Sequence, residues 1–147
     1  MSNHRKMPVK KEKEFSYLGK RKKVLSEHII EGYKADLFIQ DTETIVEIKS
    51  VISLEQYALF PTVFSERALE QLKKIQIWLR NGKKACYVIL SLNPYSKGVL
   101  LNNTTIFYNE LIKCIEEGLI VKAYTCRFDM GKSFQISGEI PVMFQKT

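Results

Sequence analysis

Three charged residues, Asp36, Glu47 and Lys49, lie inside apolar segments that are otherwise typical of buried strands. Glu47 and Lys49 are separated by a single isoleucine. Two carboxylates near each other repel, and a divalent cation between them removes the repulsion. Hard cations such as Mg²⁺ or Mn²⁺ prefer such oxygen ligands, and a lysine beside them can hold a phosphate. The set suits metal-assisted hydrolysis of a phosphodiester bond, although an ordinary half-exposed sheet would also carry such charges.

Two predicted strands must position these residues, Ala35–Gln40 and Thr44–Val51. Side chains alternate between the faces of a strand, so Leu37 and Val46 belong to the apolar face, and Asp36 and Glu47 belong to the other. A two-residue turn at 41–42 would oppose Leu37 to Val46 and Asp36 to Glu47. A slip of one residue would turn the apolar set outward, so we expect this register.

The remaining elements predict a single α/β domain with a mixed sheet. Ser65 is a plausible helix N-cap, and Asn81–Gly82 a plausible helix end. The continuous apolar run at 85–92 predicts a central strand, and residues 93–103 are expected to form a loop. The other predicted elements are strands at 24–30, 121–128 and 133–136 and a helix at 108–117.

The positive charge is concentrated at the N-terminus. Residues 1–23 hold nine Lys and Arg residues against two glutamates, a difference equal to the formal net charge of +7 of the whole chain. We therefore divide the chain into a basic arm, 1–23, and a neutral domain, 24–147. Such an arm favours polyanions, and Lys20, Arg21, Lys22 and Lys23 are its candidate nucleic-acid contacts. A solubilising leader explains it too, and an anionic membrane surface is a weaker alternative.

Several function classes lack their sequence signals. No apolar run is long enough to span a bilayer, and no secretory signal is evident. The three cysteines lie in apolar segments without a C-x-x-C pair. This pattern favours buried thiols over zinc ligands, and reduced thiols indicate a cytoplasmic location. No P-loop, dinucleotide-binding motif or Ser-His-Asp arrangement is evident. Trp78 and Tyr57 are candidates for stacking on a base, although Trp78 lies one position off the apolar stripe of its helix and could instead pack at the margin of that stripe.

The acid on one strand and the E-x-K on the next resemble the PD-(D/E)XK nuclease superfamily. A longer resemblance, over about residues 33–142, is to the C-terminal domain of the sugar fermentation stimulation protein (SfsA) family. Its motifs are present as ADLFI, VEIKSVISL, ALFPT and SERA, followed by the tail AYTCRFDMGKSFQISGEIPV.

This resemblance implies a restriction-endonuclease-like fold with a metal site. It assigns Asp36, Glu47 and the carbonyl of Ile48 as ligands of Mg²⁺ or Mn²⁺, and Asp36, Glu47 and Lys49 as the catalytic set. Arg67 would meet a phosphate, although it could instead pair with a neighbouring glutamate. Gln71 would be the polar helix residue of such nucleases or simply a solvated side chain. Glu31 is a further candidate oxygen ligand.

The chain also departs from the family pattern. The family carries an N-terminal OB-like domain, where we expect only the short basic arm before the core here. The aspartate after F-P is Thr62, and the glycine after the arginine is Ala68. The usual lysine-histidine pair in the helix is Glu70-Gln71.

Two functions therefore compete. The first is a metal-dependent endo- or exonuclease that acts on DNA in preference to RNA. As a homodimer, such a nuclease could cut both strands of a duplex. The second is a non-catalytic DNA-binding or regulatory protein with a nuclease-like fold. A third, a protein-interaction domain, does not explain the basic arm.

Overall fold

A six-stranded mixed sheet forms the centre of the molecule. The computed structural model describes residues 24–30, 33–129 and 133–145. The sheet order is β1-β2-β3-β5-β7-β8, in which β3, β5 and β7 are parallel neighbours and the remaining pairs are antiparallel. Its strands are β1 Val24–Ile30, β2 Tyr33–Ile39, β3 Thr44–Val51, β5 Lys84–Ser91, β7 Ile120–Asp129 and β8 Ser133–Ile140.

Two helices flank this sheet and pack into one core with it. The first, α1, covers Glu66–Arg80, and the second, α2, covers Ile106–Glu116. Ser65 caps α1 as predicted, because its side-chain oxygen accepts the backbone N–H of Ala68 at 3.1 Å. Past the end of α1, Gly82 adopts a φ of +82°, a conformation that suits glycine. The predicted single domain with a mixed sheet and flanking helices is confirmed.

A second, smaller sheet was not predicted. Its strands are β4 Tyr57–Phe60, β6 Gly98–Leu101 and β9 Val142–Phe144, and all of them run parallel, in the order β4-β6-β9. The expectation that 93–103 is a loop is therefore wrong at 98–101. These strands are too short to show a periodic pattern of apolar residues. Each of them also pairs with a strand that is distant in the sequence.

The hairpin of β2 and β3 has the predicted register. Leu37 pairs with Val46, and Ile39 pairs with Thr44. The turn is longer than the predicted two residues, since Gln40–Thr42 form a short 3-10 turn and Glu43 follows with a φ of +52°. The register survives because the apolar face must remain buried.

The two faces of the sheet contain different apolar clusters. Leu37, Ile39 and Val46 pack with side chains of β5 and β7 on one face. Phe38 and Ile45 pack on the opposite face with α1, α2 and the small sheet. Across the described residues, no helix has the length and hydropathy needed to cross a membrane.

Candidate metal and nucleic-acid site

Asp36 lies at the point where β2 and β3 stop pairing. Their ladder ends at Leu37–Val46, one pair short of Asp36 and Glu47. The two acids therefore do not form the directly opposed ladder pair that the sequence predicts. Instead, the side chain of Asp36 accepts the backbone N–H of Ile48 at 2.8 Å. This bond satisfies a strand N–H that would otherwise lack a partner on this edge of β3.

The regular alternation of β2 also breaks at Asp36. Tyr33 and Ala35 pack on the same face as Phe38, whereas Leu37 packs on the opposite face. In the ladder between β1 and β2, the position opposite Asp36 is Glu27, which has a φ of +51° and is not paired in that ladder. This local distortion brings Tyr33 to the face that carries Glu47.

Glu47 is buried in the centre of the site. Its side chain is 3% exposed, and its two carboxylate oxygens have different partners. The hydroxyl of Tyr33 donates to Oε1, while the ammonium of Lys49 lies 3.1 Å from Oε2. Burial raises the pKa of Glu47 above its ordinary value of 4.5; the hydrogen bond from Tyr33 lowers the pKa, Asp36 raises it and Lys49 lowers it. The site therefore resists a full negative charge on Glu47 when only these protein groups are present.

Lys49 connects β3 to helix α1. Its Nζ donates to Oε1 of Gln71 at 2.8 Å in addition to its ion pair with Glu47. Gln71 is half-buried, and this hydrogen bond joins it to the predicted residues of β3. Three of the predicted residues, Glu47, Lys49 and Gln71, form one connected polar network, and Asp36 lies beside it.

Arg67 lies one helical turn before Gln71 and lines the same cavity. This cavity, of about 240 Å³, is lined by Tyr33, Lys34, Arg67, Glu70, Gln71 and Lys74. Glu70 pairs with Lys73 at 3.7 Å, and within the described part of the chain no ion pair of Arg67 is seen. Lys34 also pairs with Glu27 at 3.5 Å. The three cations still outnumber Glu70 around the cavity, so this surface suits phosphate groups.

A second cavity, of about 230 Å³, includes Lys49 in its lining. Because Lys49 lines this cavity and its partner Gln71 lines the first one, the two cavities flank the Lys49–Gln71 hydrogen bond. Tyr87 of β5 pairs in register with Glu47 and also lines this second cavity. Burial raises the pKa of the Tyr87 hydroxyl well above its ordinary value, and Glu47 and Asp36 raise it further.

Sequence reasoning missed Tyr33 and Tyr87. Tyr33 reaches Glu47 only because β2 departs from regular alternation, which no pattern in the sequence announces. A hydroxyl-bearing residue such as Tyr87, inside a strand that is buried on both faces, is a signal of a functional position. That Tyr87 lies beside Glu47, however, depends on the register of two parallel strands, which the sequence does not determine.

Other candidates lie elsewhere. Trp78 is 3% exposed and its indole N–H donates to the carbonyl of Lys84, so it is not a base-stacking residue. Lys20, Arg21, Lys22, Lys23 and Glu31 lie outside the described residues. Among the described residues, no group of three or more His, Cys, Asp or Glu side chains converges on one point. A metal bound between Asp36 and Glu47 would therefore need further oxygen ligands from the backbone, from water or from residues outside the described part of the chain.

Comparison with known proteins identifies a family and a related structure. The family model described as the sugar fermentation stimulation protein RE domain matches residues 5–132, which includes most of the basic arm. The structure of Pyrococcus furiosus SfsA in complex with Ca²⁺ is similar, with a TM-score of 0.70 at 22% sequence identity, a likeness that concerns the fold. The match covers 80% of this chain and 53% of that one, so this chain spans about half the length of the archaeal protein. No curated protein sequence matches.

Proposed function

Because the chain belongs to the sugar fermentation stimulation protein family, we propose that it is a metal-dependent nuclease that hydrolyses phosphodiester bonds in DNA. Asp36, Glu47 and the carbonyl of Ile48 hold Mg²⁺ or Mn²⁺ in this proposal, and Lys49 acts on the phosphate. Arg67 and Gln71 contact the nucleic acid from α1, and the basic arm adds affinity.

The observation that carries the proposal is the burial of Glu47 beside Asp36. A side chain that is 3% exposed and has its pKa raised by burial is costly to keep as a carboxylate. An apolar residue at this strand position would pack without that cost. A buried acid with a raised pKa in a cleft is typical of functional sites, and a divalent cation would compensate both carboxylates.

The donor set fits a hard divalent cation. Within a strand, the N–H and C=O of one residue leave on the same edge, so the carbonyl of Ile48 faces the gap where Asp36 accepts the N–H of the same residue. Two carboxylates, a carbonyl and waters are ligands that Mg²⁺ accepts. The archaeal SfsA was solved with Ca²⁺, which is also a hard cation with oxygen ligands. A bound cation would acidify a water and offset negative charge on the phosphate.

Lys49 supplies the positive charge for the reacting phosphate. Its ammonium lies 3.1 Å from Glu47 and 2.8 Å from Gln71, so both partners fix its position next to the carboxylates. Fixed charges that need no reorganisation stabilise a transition state efficiently. Gln71 is a positioning residue in this proposal, because it orients the lysine through a hydrogen bond.

The cavity of Lys34, Arg67 and Lys74 extends the site along the nucleic-acid strand that would be cut. A nucleic-acid backbone presents phosphates at regular spacing, and such cations bind them without sequence preference. The residues 20–23 of the arm would add further phosphate contacts. We propose DNA as the substrate in preference to RNA because the motif on β2 and β3 resembles that of the PD-(D/E)XK nuclease superfamily.

A non-catalytic nucleic-acid-binding protein is the second candidate. The observation that favours it is that both oxygens of Glu47 already have protein partners, Tyr33 and Lys49. Such a network is compensated without a metal, and the cationic cavity would still bind phosphates.

The test is a cleavage assay with the full chain. Supercoiled plasmid and end-labelled single strands are incubated with Mg²⁺ or Mn²⁺, beside Glu47→Gln as the matched variant and Glu43→Gln as a surface control. We expect cleavage by wild type and Glu43→Gln, and a reduction of at least about a hundredfold in Glu47→Gln. Nucleic-acid binding without any cleavage in either metal would favour the second candidate.

A further inference from the structure

The second cavity beside Lys49 has a lining unlike that of a phosphate site. Of the described residues around it, Lys49 alone is charged, and its ammonium is already engaged by Glu47 and Gln71. The floor is aromatic, since Phe60, Tyr87 and Phe107 contact one another with ring centroids 6.0 to 6.4 Å apart.

The hydroxyl of Tyr87 is a buried polar group that awaits a partner. Tyr87 is 0% exposed, and within the described part of the chain its hydroxyl makes no hydrogen bond. Buried hydroxyls are as a rule hydrogen-bonded, and an exception requires an explanation. Tyr87 belongs to the lining of the cavity, but its hydroxyl oxygen is itself buried, so a ligand reaches it only if the wall shifts slightly. A phenol can both donate and accept a hydrogen bond, so after that shift the cavity offers one adaptable polar contact beside its apolar walls.

A planar heteroaromatic group fits this lining better than an anion does. Ligand sites are typically apolar with a few polar groups that fix orientation. A nucleobase has a flat face for the apolar walls and polar edge atoms for a hydroxyl. The neighbouring cationic cavity, on the other side of the Lys49–Gln71 hydrogen bond, is the place for phosphates.

We propose that this cavity binds a single unpaired nucleobase of the strand whose phosphate lies at Lys49. The inference rests on the proposed function for its ligand class, but it concerns binding and does not require cleavage. It has a consequence for substrate choice. A base in continuous duplex must be unstacked before it can enter, which costs free energy, whereas a base in a single strand or at a frayed end enters at little cost. The protein should therefore prefer single strands, ends and mismatches to intact duplex.

Two variants test the cavity from opposite directions. Ala68→Met fills it from α1, with a side chain that the helix accepts well. Tyr87→Phe removes only the hydroxyl and should leave the melting temperature equal or higher, because it deletes a buried group without a partner. Tyr124→Phe is the matched control, since Tyr124 is buried on the opposite face of the sheet.

The measurement is binding of labelled single-stranded DNA and of the matching duplex to the full chain in EDTA, where no cleavage occurs. We expect Ala68→Met to weaken single-strand binding about tenfold or more, the size of one stacked base, and Tyr87→Phe to weaken it severalfold. Duplex binding should change little in either variant. Tyr124→Phe should match wild type.

An abasic-site series identifies the base that enters the cavity. A single abasic position should weaken binding to wild type by the same factor as Ala68→Met, and the two changes together should have no larger effect than either alone. If the Ala68→Met and Tyr87→Phe variants bind single strands as tightly as wild type does, the inference is wrong and the proposed function is unaffected. If wild type binds neither single strands nor duplex, whether in EDTA or with Mg²⁺, both the proposed function and the inference fail.

Discussion

At the scale of single residues, Glu47 determines how the site responds to pH. Its pKa in the folded protein is raised above 4.5, mainly by burial, while the carboxyl in an unfolded chain titrates near its ordinary value. The folded state therefore binds this proton more tightly than the unfolded state does. The contribution of Glu47 to the free energy of unfolding is highest below pH 4.5 and declines as the pH rises from 4.5 through the folded pKa.

Glu47→Gln should remove this pH dependence in the metal-free protein. The amide can accept from Lys49 and donate to the hydroxyl oxygen of Tyr33, so the network persists without the ionisation cost. We expect the variant to melt higher than wild type in EDTA at pH 7, by on the order of a few degrees, and the gap to close toward pH 4. Thermal unfolding across this pH range measures it. A variant that melts below wild type at pH 7 would contradict the prediction.

Lys49→Met separates chemistry from binding. Methionine keeps the apolar stem and removes the charge, so the strand should remain folded. We expect the cleavage rate constant at saturating metal to fall by two or more powers of ten, while DNA affinity falls far less because the other cations still neutralise their phosphates. Lys73→Met, which makes the same change of charge at an exposed position on α1, is the control. Equal cleavage by both variants would remove Lys49 from the mechanism.

At the scale of elements, α1 delivers Arg67 and Gln71 to the site from its first two turns. The start of the helix is fixed by Ser65, whose oxygen accepts the N–H of Ala68. The removal of such a cap leaves an N–H without its partner and allows the first turn to fray.

Ser65→Ala should therefore lower the free energy of unfolding by about 1 kcal/mol, measured by urea denaturation. Ser65→Asp should retain most of the stability, because a carboxylate also caps and interacts favourably with the helix N-terminus. An alanine variant as stable as the aspartate variant would show that the cap contributes nothing.

The elements also show how far the sequence could be interpreted. β1, β3 and the Ser65 cap agree with prediction because alternation, the apolar face and capping chemistry are local signals. Tyr57–Phe60 and Gly98–Leu101 were missed because each four-residue strand is defined by its parallel partner about 40 residues away. The pair of Asp36 and Glu47 was only partly anticipated. The register was predictable, whereas the break that turns Asp36 onto the N–H of Ile48 depends on tertiary packing.

At the scale of the whole molecule, the net charge is concentrated in residues 1–23, and the rest of the chain is neutral. Replacing Lys20, Arg21, Lys22 and Lys23 together by glutamine should weaken DNA binding and flatten its dependence on salt. The slope of log affinity against log salt should fall by about 0.7 to 0.9 for each phosphate that the arm no longer neutralises. The control carries the same change in net charge elsewhere, at Lys83, Lys84, Lys97 and Lys113. Equal slopes for the two quadruple variants would contradict a special role for the arm.

If the proposed function holds, the double engagement of Lys49 would make the binding of metal and the binding of nucleic acid depend on each other. One ammonium cannot fully neutralise Glu47 and a phosphate at the same time, so in the metal-free protein a phosphate must compete with Glu47 for it. A cation that compensates Glu47 releases Lys49 for the phosphate. By thermodynamic reciprocity, whatever factor the metal adds to DNA affinity, DNA adds to metal affinity. We expect the two ligands to bind with positive cooperativity, and the cooperativity to disappear in Lys49→Met.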